Sequence, residues 1–416
     1  MDSFLLRDNV LFAEDVSLED IARSHGTPCY VYSRAALERH FRAFDEALQG
    51  QKHLVCYAVK ANGNLAVLDV LCRLGAGFDV VSIGELERVL AVGGRADKVI
   101  FSGVGKREDE MRRALEVGIR CFNVESESEL CKLNALAKSM GKKAPVALRI
   151  NPDVQPQTHP YVATGLKDSK FGIPIARVME AYRLARSMDF LEVVGMDCHI
   201  GSQVTQLEAY REAAESFKKL LEALAQEGIF LSMLNMGGGL GIRYKDEEPP
   251  LPCALAGMLQ SVFGPGNGYE MVVEPGRAIV GNAGVLLTRV EILKQADTAH
   301  FAVVDAGMND LIRPALYGAW MEIMPVRKRE DVESKPWEVV GPICESADFL
   351  GKGRLLALKE GDLLAVRSAG AYAFSMSSNY NARPRAAEVM VDKNRHFLVR
   401  ERETLPQLWA NEHKLP

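Results

Sequence analysis

Lys60 is the only charged residue in the stretch Cys56 to Asn62, written CYAVKAN. Val55, Tyr57 and Val59 give the run His53 to Val59 the β-branched and aromatic character of a buried strand, and Asn62-Gly63 closes it with a turn. An amine at the C-terminal lip of such a strand has apolar neighbours. Partial desolvation disfavours its charged form, and a neutral amine is what forms a Schiff base with a carbonyl. Taken alone, Lys60 has a plainer reading: a lysine that ends a strand and reaches back to water.

Other stretches carry chemistry of their own. Met236 to Gly241, MGGGLG, follows an apolar strand, and consecutive glycines such as Gly237, Gly238 and Gly239 let backbone N–H groups converge on an anion. No Gly-Lys-Ser/Thr follows, so it is not a Walker loop, and a simple tight turn explains it equally well. The segment EPGR sets a carboxylate, Glu274, and a guanidinium, Arg277, at a strand end held by Pro275 and Gly276. A local ion pair would also account for it. His199 and Ser202, in CHIGSQ, stand after another apolar run. Cys344, in GPICESAD, sits among polar residues beyond a Gly-Pro turn, where a thiol meets solvent or substrate.

The elements that must position these residues alternate. Strand candidates are Leu54 to Lys60, Phe78 to Ser82, Val99 to Gly103, Cys121 to Glu125, Val146 to Asn151, Val193 to Ser202, Leu231 to Gly237 and Met271 to Glu274. Helical patterns lie between them, preceded by Arg34 to Leu48 with Ser33 as its N-cap. Eight such units over 30–280 predict a (β/α)8 barrel, an α/β fold. A doubly wound open sheet has the same alternation. The barrel is preferred because polar residues fall at the C-terminal ends of nearly all the strands: Lys60, Asp79 with Ser82, Arg149 with Asn151, His199 with Ser202, Gly237 to Gly239, and Glu274 with Arg277. An open sheet would gather them at its switch point.

Beyond about Ala278 the helices fade. Ala283 to Leu293, Phe301 to Asp305, Trp337 to Val340 and Leu363 to Val366 read as strands of a mostly antiparallel β-domain, 281–416 joined by 1–29. Met1 to Tyr32 reads as an irregular lead-in with a short helix around Leu18 to His25. The β-domain loops present Arg313 and Tyr317, Cys344 and Glu345, and Tyr372. The charged run Arg327 to Lys335 reads as a solvated loop.

With 416 residues, 48% of them hydrophobic and 25% charged, the chain has the makeup of a soluble protein of a large and a smaller domain. A net charge of -5 argues against nucleic acid or an anionic membrane as the main partner. The eight cysteines show neither CxxC pairs nor zinc-like spacing, so most of them, Cys344 apart, read as core residues of a reducing compartment, and no metal is expected. MDSFLLRDNV has acidic residues and no long apolar core, so neither a signal peptide nor a membrane span is predicted and a cytoplasmic location is expected.

Taken together, CYAVKAN, FDVVSIGE, ALRINP, THPYVATGLKDSKFGI, DCHIGSQ, NMGGGLG, VEPGR, DAGMND with LIRPALYG, GPICESAD and GAYAFSMSSNYN resemble the diaminopimelate decarboxylase family. These are pyridoxal 5'-phosphate enzymes with an alanine-racemase-like barrel and a C-terminal β-domain. The resemblance covers nearly the whole chain in the family's order. It implies that Lys60 carries the cofactor, that His199 lies against one face of its ring, and that Gly237, Gly238 and Gly239 with Ser202 and Tyr372 hold the phosphate.

By the same resemblance Glu274 pairs with the pyridine nitrogen, in a lip that continues through Pro275, Gly276 and Arg277. Asp79 and Arg149 line the pocket beside Lys60 and the ring hydroxyl. A carboxylate at 274 keeps the ring protonated and favours decarboxylation, whereas an arginine there would favour racemisation. Cys344 is implied as the proton donor to the α-carbon, contributed with Glu345 across a homodimer interface. Arg277, Arg313, Tyr317, Glu345 and Tyr372 are implied to contact the substrate. Two arginines suit a distal carboxylate and Glu345 a distal ammonium, both present in meso-diaminopimelate. The expected products are L-lysine and CO2. Other decarboxylases of the group, acting on ornithine, arginine or carboxynorspermidine, remain open, as does a non-catalytic cofactor-binding paralogue. The segment around Thr158 to Lys170 is expected to be a loop.

Overall fold

Strands that read as near-continuous apolar runs are those buried on both faces, and they form the first layer of this protein. The structure, a computed structural model, describes residues 3–154, 169–264, 266, 268–296 and 299–416. Most of the expected Thr158 to Lys170 loop therefore lies outside the described residues. One compact unit takes Glu38–Ile242 and Glu248–Ile279; the other takes the residues up to Leu37, Arg243–Glu247 and Val280–Pro416.

The first unit is a barrel. Its strands are β1 (His53–Ala58), β2 (Gly77–Val80), β3 (Val99–Phe101), β4 (Cys121–Val124), β5 (Ala144–Asn151), β6 (Leu191–Asp197), β7 (Met233–Asn235) and β8 (Glu270–Val273). Each pairs in parallel with the next, and β8 returns to β1 through Met271 opposite His53, so the ring is closed and the open sheet is excluded. Leu54, Cys56, Ile100, Cys121, Ala147, Met233 and Val272 fill one interior cluster, in which small Cys and Ala side chains fit the crowded axis.

Helices return the chain between strands. Their starts follow local chemistry: Asn64, Ser82 and Ser126 cap Leu65–Arg73, Ile83–Ala91 and Glu127–Ser139, each accepting a backbone N–H of the first turn. These caps stand at the C-terminal ends of the strands, where the polar residues collect. The helices Arg34–Ala47, Glu108–Val117, Val178–Arg186, Glu208–Gln226 and Pro252–Phe263 complete the predicted alternation. No helix among the described residues is long and apolar enough to cross a membrane.

The second unit is built on a mostly antiparallel sheet. Its strand order is Phe349–Leu356, Lys335–Val340, His300–Val304, Gly284–Gln295, Cys29–Ser33, Ala387–Asp392 and Arg395–Arg400, with Ile323–Pro325 and Leu363–Val366 joined through Gly284–Gln295. The pairs His300–Val304 with Lys335–Val340 and Cys29–Ser33 with Ala387–Asp392 are parallel.

Two expectations about the N-terminal region need correction. The residues up to Tyr32 are not an irregular lead-in: Phe4–Arg7, Val10–Ala13 and Val16–Ser17 form an antiparallel sheet, and Leu18–His25 is the expected helix. Asp8 and Asn9 both take positive φ, the pattern of a tight hairpin turn, which leaves flanking strands too short to show as alternation. The strand Cys29–Ser33 belongs to the second unit's sheet, so that unit continues past residue 29 to Leu37. The run Arg327 to Lys335 is tied down by pairs from Arg327 to Glu19 and from Arg329 to Asp362.

Candidate active site

Lys60 stands one turn beyond its strand. β1 ends at Ala58, and Val59–Ala61 form a 3-10 turn that lifts Lys60 off the sheet. Two contacts fix the turn: Ala58 N–H donates to the Pro275 carbonyl at 3.2 Å, and the Tyr57 hydroxyl donates to the Asn62 carbonyl at 2.9 Å. The surroundings of the amine are not apolar as expected. Lys60 Nζ lies 3.1 Å from Oδ2 of Asp79, a fully buried carboxylate on β2.

Glu274, just past β8, is held by two asparagines to which the sequence had assigned no role. Asn235 Nδ2 donates to Glu274 Oε1 at 2.5 Å, and Asn123 Nδ2 reaches the same oxygen at 3.4 Å. Both asparagines are fully buried. Burial first, and then the carboxylates of Asp79 and Asp197, push the Glu274 pKa well above its usual value. Without a cation beside it, this carboxyl tends to keep its proton.

Arg149, at the end of β5, bridges two further acids. Its Nη1 donates to Glu125 Oε1 at 2.9 Å, its Nε lies 3.8 Å from Asp197 Oδ2, and its guanidinium covers the Phe171 ring at 4.8 Å. Burial opposes its charge, but Glu125, Asp197 and Glu274 together raise its pKa. Glu125 also accepts the backbone N–H groups of Gly103 and Gly172, both at 3.0 Å, and so ties together the ends of three strand-to-helix connections. Burial pushes Asp197 up to about 7 although Arg149 pulls it down.

His199 and the glycines meet directly. Gly238 N–H donates to His199 Nδ1 at 3.1 Å, so Nδ1 is the acceptor of a neutral ring. His199 keeps some accessible surface yet is packed deep in the mouth. That burial, followed by the charges of Lys60 and Arg149, holds its pKa well below the usual histidine value. Gly237 N–H donates to Asn235 Oδ1 at 2.9 Å, so two of the three N–H groups expected to face an anion are engaged within the chain. Gly237 and Gly239 take positive φ, and a Cβ at Gly238 would collide with the Glu274 carbonyl oxygen. A glycine is required at each position. Arg277 Nη2 donates to Ser202 Oγ at 2.9 Å, joining two expected site residues.

The remaining expected residues lie in the second unit. Arg313 places its guanidinium 5.3 Å from the Tyr244 ring and 5.7 Å from the Tyr317 ring. Cys344 and Glu345 are exposed on one loop, and Tyr372 takes a positive φ of 54°. None of the eight cysteines is in a disulfide; Cys131 and Cys253, expected in the core, are exposed.

In chemical terms the barrel mouth is rich in buried carboxyl groups. Asp79, Asp197, Glu274 and Glu125 face Lys60 and Arg149. Among the described residues, Asp79 Oδ1 and Asp197 Oδ1 are buried without a hydrogen-bond partner. A flat ring with a protonated nitrogen at Glu274 and an aldehyde carbon at Lys60 fits this set. No group of three or more metal-ligating side chains occurs among the described residues.

Residues 34–281 match the family model described as the pyridoxal-binding domain of pyridoxal-dependent decarboxylases. A diaminopimelate decarboxylase of Vibrio cholerae is 58% identical over 98% of both chains, and one of Pseudomonas aeruginosa is 59% identical over 100% of both. The crystal structure of diaminopimelate decarboxylase from M. jannaschii in complex with L-lysine superposes with a TM-score of 0.95 at 38% identity, covering 100% of this chain and 98% of that one. The chain thus belongs to the pyridoxal-dependent decarboxylases, within the diaminopimelate decarboxylase family.

Proposed function

We propose that this enzyme decarboxylates meso-2,6-diaminopimelate to L-lysine and CO2, with pyridoxal 5'-phosphate as cofactor. The observation that carries the reading is Glu274, a buried carboxyl held by two asparagines at the end of β8, the strand that pairs with the one leading to Lys60. Bound pyridoxal phosphate supplies an electron-withdrawing ring that takes up the electron pair left behind when the substrate carboxylate departs as CO2.

The chain's own residues do the rest. Lys60 holds the cofactor through its aldehyde carbon, with Asp79 orienting the amine from 3.1 Å. Glu274 keeps a proton at the ring nitrogen, because an ionised carboxylate in this buried place is stable only beside a cation. His199, with Nδ1 occupied by Gly238 N–H, presents a neutral face for the ring to rest on. Ser202, Gly239 and Tyr372 bind the phosphate, together with the cradle that Gly237 and Gly238 shape. Pro275 and Gly276 close the turn that delivers Arg277 to Ser202. Arg149 lies near the ring hydroxyl.

Cys344 returns a proton to the α-carbon after CO2 leaves. Arg277 and Arg313 take the distal carboxylate, with Tyr317 and Tyr372 beside them, and Glu345 takes the distal ammonium. Cys344 and Glu345 come from the second subunit of a homodimer working in the cytoplasm. Purified protein loaded with pyridoxal phosphate should release CO2 and lysine from meso-diaminopimelate, with ornithine, arginine and carboxynorspermidine as comparison substrates. Equal or greater kcat/KM on any of those three would reject the substrate assignment.

A further inference from the structure

The loop that displays Cys344 has almost no apolar anchor of its own. From Gly341 to Asp348, only Ile343 and Asp348 are buried, while Pro342 and the four residues Cys344 to Ala347 are exposed. A thiol on such a loop would wander by ångströms unless something fixed its backbone. Two side chains do so.

Asp348 closes the loop on itself and on a neighbour. Its Oδ2 accepts the N–H of Ile343 at 2.8 Å, and its Oδ1 accepts the N–H of Met308, in the segment DAGMND, at 2.6 Å. Burial pushes its pKa up while these two N–H groups pull it back down. Gly341 and Gly307 make room for the carboxylate: a Cβ at Gly341 would collide with Oδ2, and one at Gly307 would come to 3.1 Å. Gly341 N–H also donates to the Asp348 carbonyl at 3.1 Å.

Asn381 holds the next residue. Its Oδ1 accepts the N–H of Cys344 itself at 2.7 Å. Asn381 takes the left-handed conformation, φ 56° and ψ 27°, which asparagine tolerates better than most residues. Glu345 N–H donates to the Ile343 carbonyl at 2.7 Å, so Cys344 is the central residue of a three-residue turn. The segments carrying Met308 and Asn381 are themselves joined, since Ser378 N–H donates to the Asn309 carbonyl at 2.9 Å.

We infer that Asp348 and Asn381 are positioning residues that fix the turn at Cys344 and so aim its thiol, making DAGMND and the end of GAYAFSMSSNYN a mount for the proton donor. This rests on the reading of Cys344 as that donor. Neither side chain needs to touch substrate. The carboxylate and the amide act through the backbone on either side of the thiol, where a shift of about 1 Å can cost on the order of 100-fold in rate.

The test uses the cofactor-loaded full chain with Asp348→Asn, Asn381→Ala, Asn381→Asp and Cys344→Ala. Asp348→Asn and Asn381→Ala should each lower kcat about 10- to 100-fold, with KM changed by less than about twofold. Asn381→Asp, which keeps an acceptor of the same reach, should restore most of the Asn381→Ala loss. Amide hydrogen exchange, read without turnover, should quicken at Met308 or Ile343 in Asp348→Asn, whichever then faces the amide nitrogen, and at Cys344 in Asn381→Ala. Unchanged exchange at those amides, or a loss expressed only in KM, overturns the inference. So does failure of Asn381→Asp to rescue. Wild-type turnover in Cys344→Ala removes the donor premise instead, and the exchange data then show whether the mount exists apart from it.

Discussion

Replacing Glu274 by Gln separates what this carboxyl does for the fold from what it does for the reaction. Gln keeps the length and the oxygen that accepts from Asn235 at 2.5 Å and from Asn123 at 3.4 Å, so the packing of the β7 and β8 ends is preserved. In the cofactor-free protein the side chain is buried beside Asp79 and Asp197 and its pKa is raised well above the ordinary carboxyl value. For an acid raised on folding, the folded state holds the proton more tightly, so its stabilising contribution is lost as pH rises. Gln never ionises. The cofactor-free Glu274→Gln protein should therefore melt at or above the wild-type temperature at pH 8, with any loss below about 1 kcal/mol.

Turnover should respond in the opposite sense. With the ring bound, the variant leaves a buried cationic nitrogen without its partner, a loss of about 3–5 kcal/mol. At about 1.4 kcal/mol per decade, that corresponds to roughly a 10²- to 10⁴-fold fall in kcat. The assay is CO2 release at saturating cofactor and diaminopimelate, paired with thermal melts of the cofactor-free proteins. A kcat within about threefold of wild type would refute the assignment of Glu274 to the ring nitrogen. A cofactor-free protein clearly less stable than wild type would show that the charge is structural.

Three further outcomes are expected. Lys60→Ala should lose the visible absorption band of the lysine-bound cofactor, and an unchanged spectrum would place the attachment elsewhere. Asp197, pushed from 3.8 to about 7 by burial, contributes stability that is full below about 4 and lost as pH rises to about 7; the cofactor-free protein should lose up to about 1.4 kcal/mol per pH unit across that window. Asp197→Asn should flatten the slope in urea titrations, and an identical slope in both proteins would count against it. Arg313→Met should raise KM for diaminopimelate about 10- to 100-fold, the loss of one charge-assisted contact, with little change in kcat; equal KM values would mean that the distal carboxylate is held by other groups.

The barrel was legible because its strands are buried on both faces. Val99–Phe101 and Cys121–Val124 are short, but they lie between amphipathic helices with clear caps. Lys60 was placed correctly at the C-terminal side, but the 3-10 turn after Ala58 cannot be read from a run of valine and alanine. Glu125, Asp197, Asn123 and Asn235 went unmarked although all lie inside or beside the quoted strands. A signal was available, since a polar residue within an apolar strand, such as Asn123 in Cys121–Val124, must find a buried partner. What the residue order lacks is which partner: Asn123 and Glu274 are far apart in sequence and meet only once the ring closes. The N-terminal strands were missed for a different reason, because four-residue hairpin arms leave no period to detect.

The strand Cys29–Ser33 sets a problem of timing. It is buried along its whole length between Gly284–Gln295 and Ala387–Asp392, with the Tyr32 hydroxyl donating to Glu388. Its second neighbour leaves the ribosome roughly 350 residues later, about 20–70 s at usual elongation rates. Until Gly284–Gln295 emerges, roughly 250 residues on, a sticky CYVY segment trails from the nascent chain with both edges bare, and one edge stays bare until Ala387–Asp392 follows. Co-translational shielding by a holdase is thus most needed at the very start of synthesis, and release of the chain before residue 392 should send it to aggregates rather than to a usable fragment.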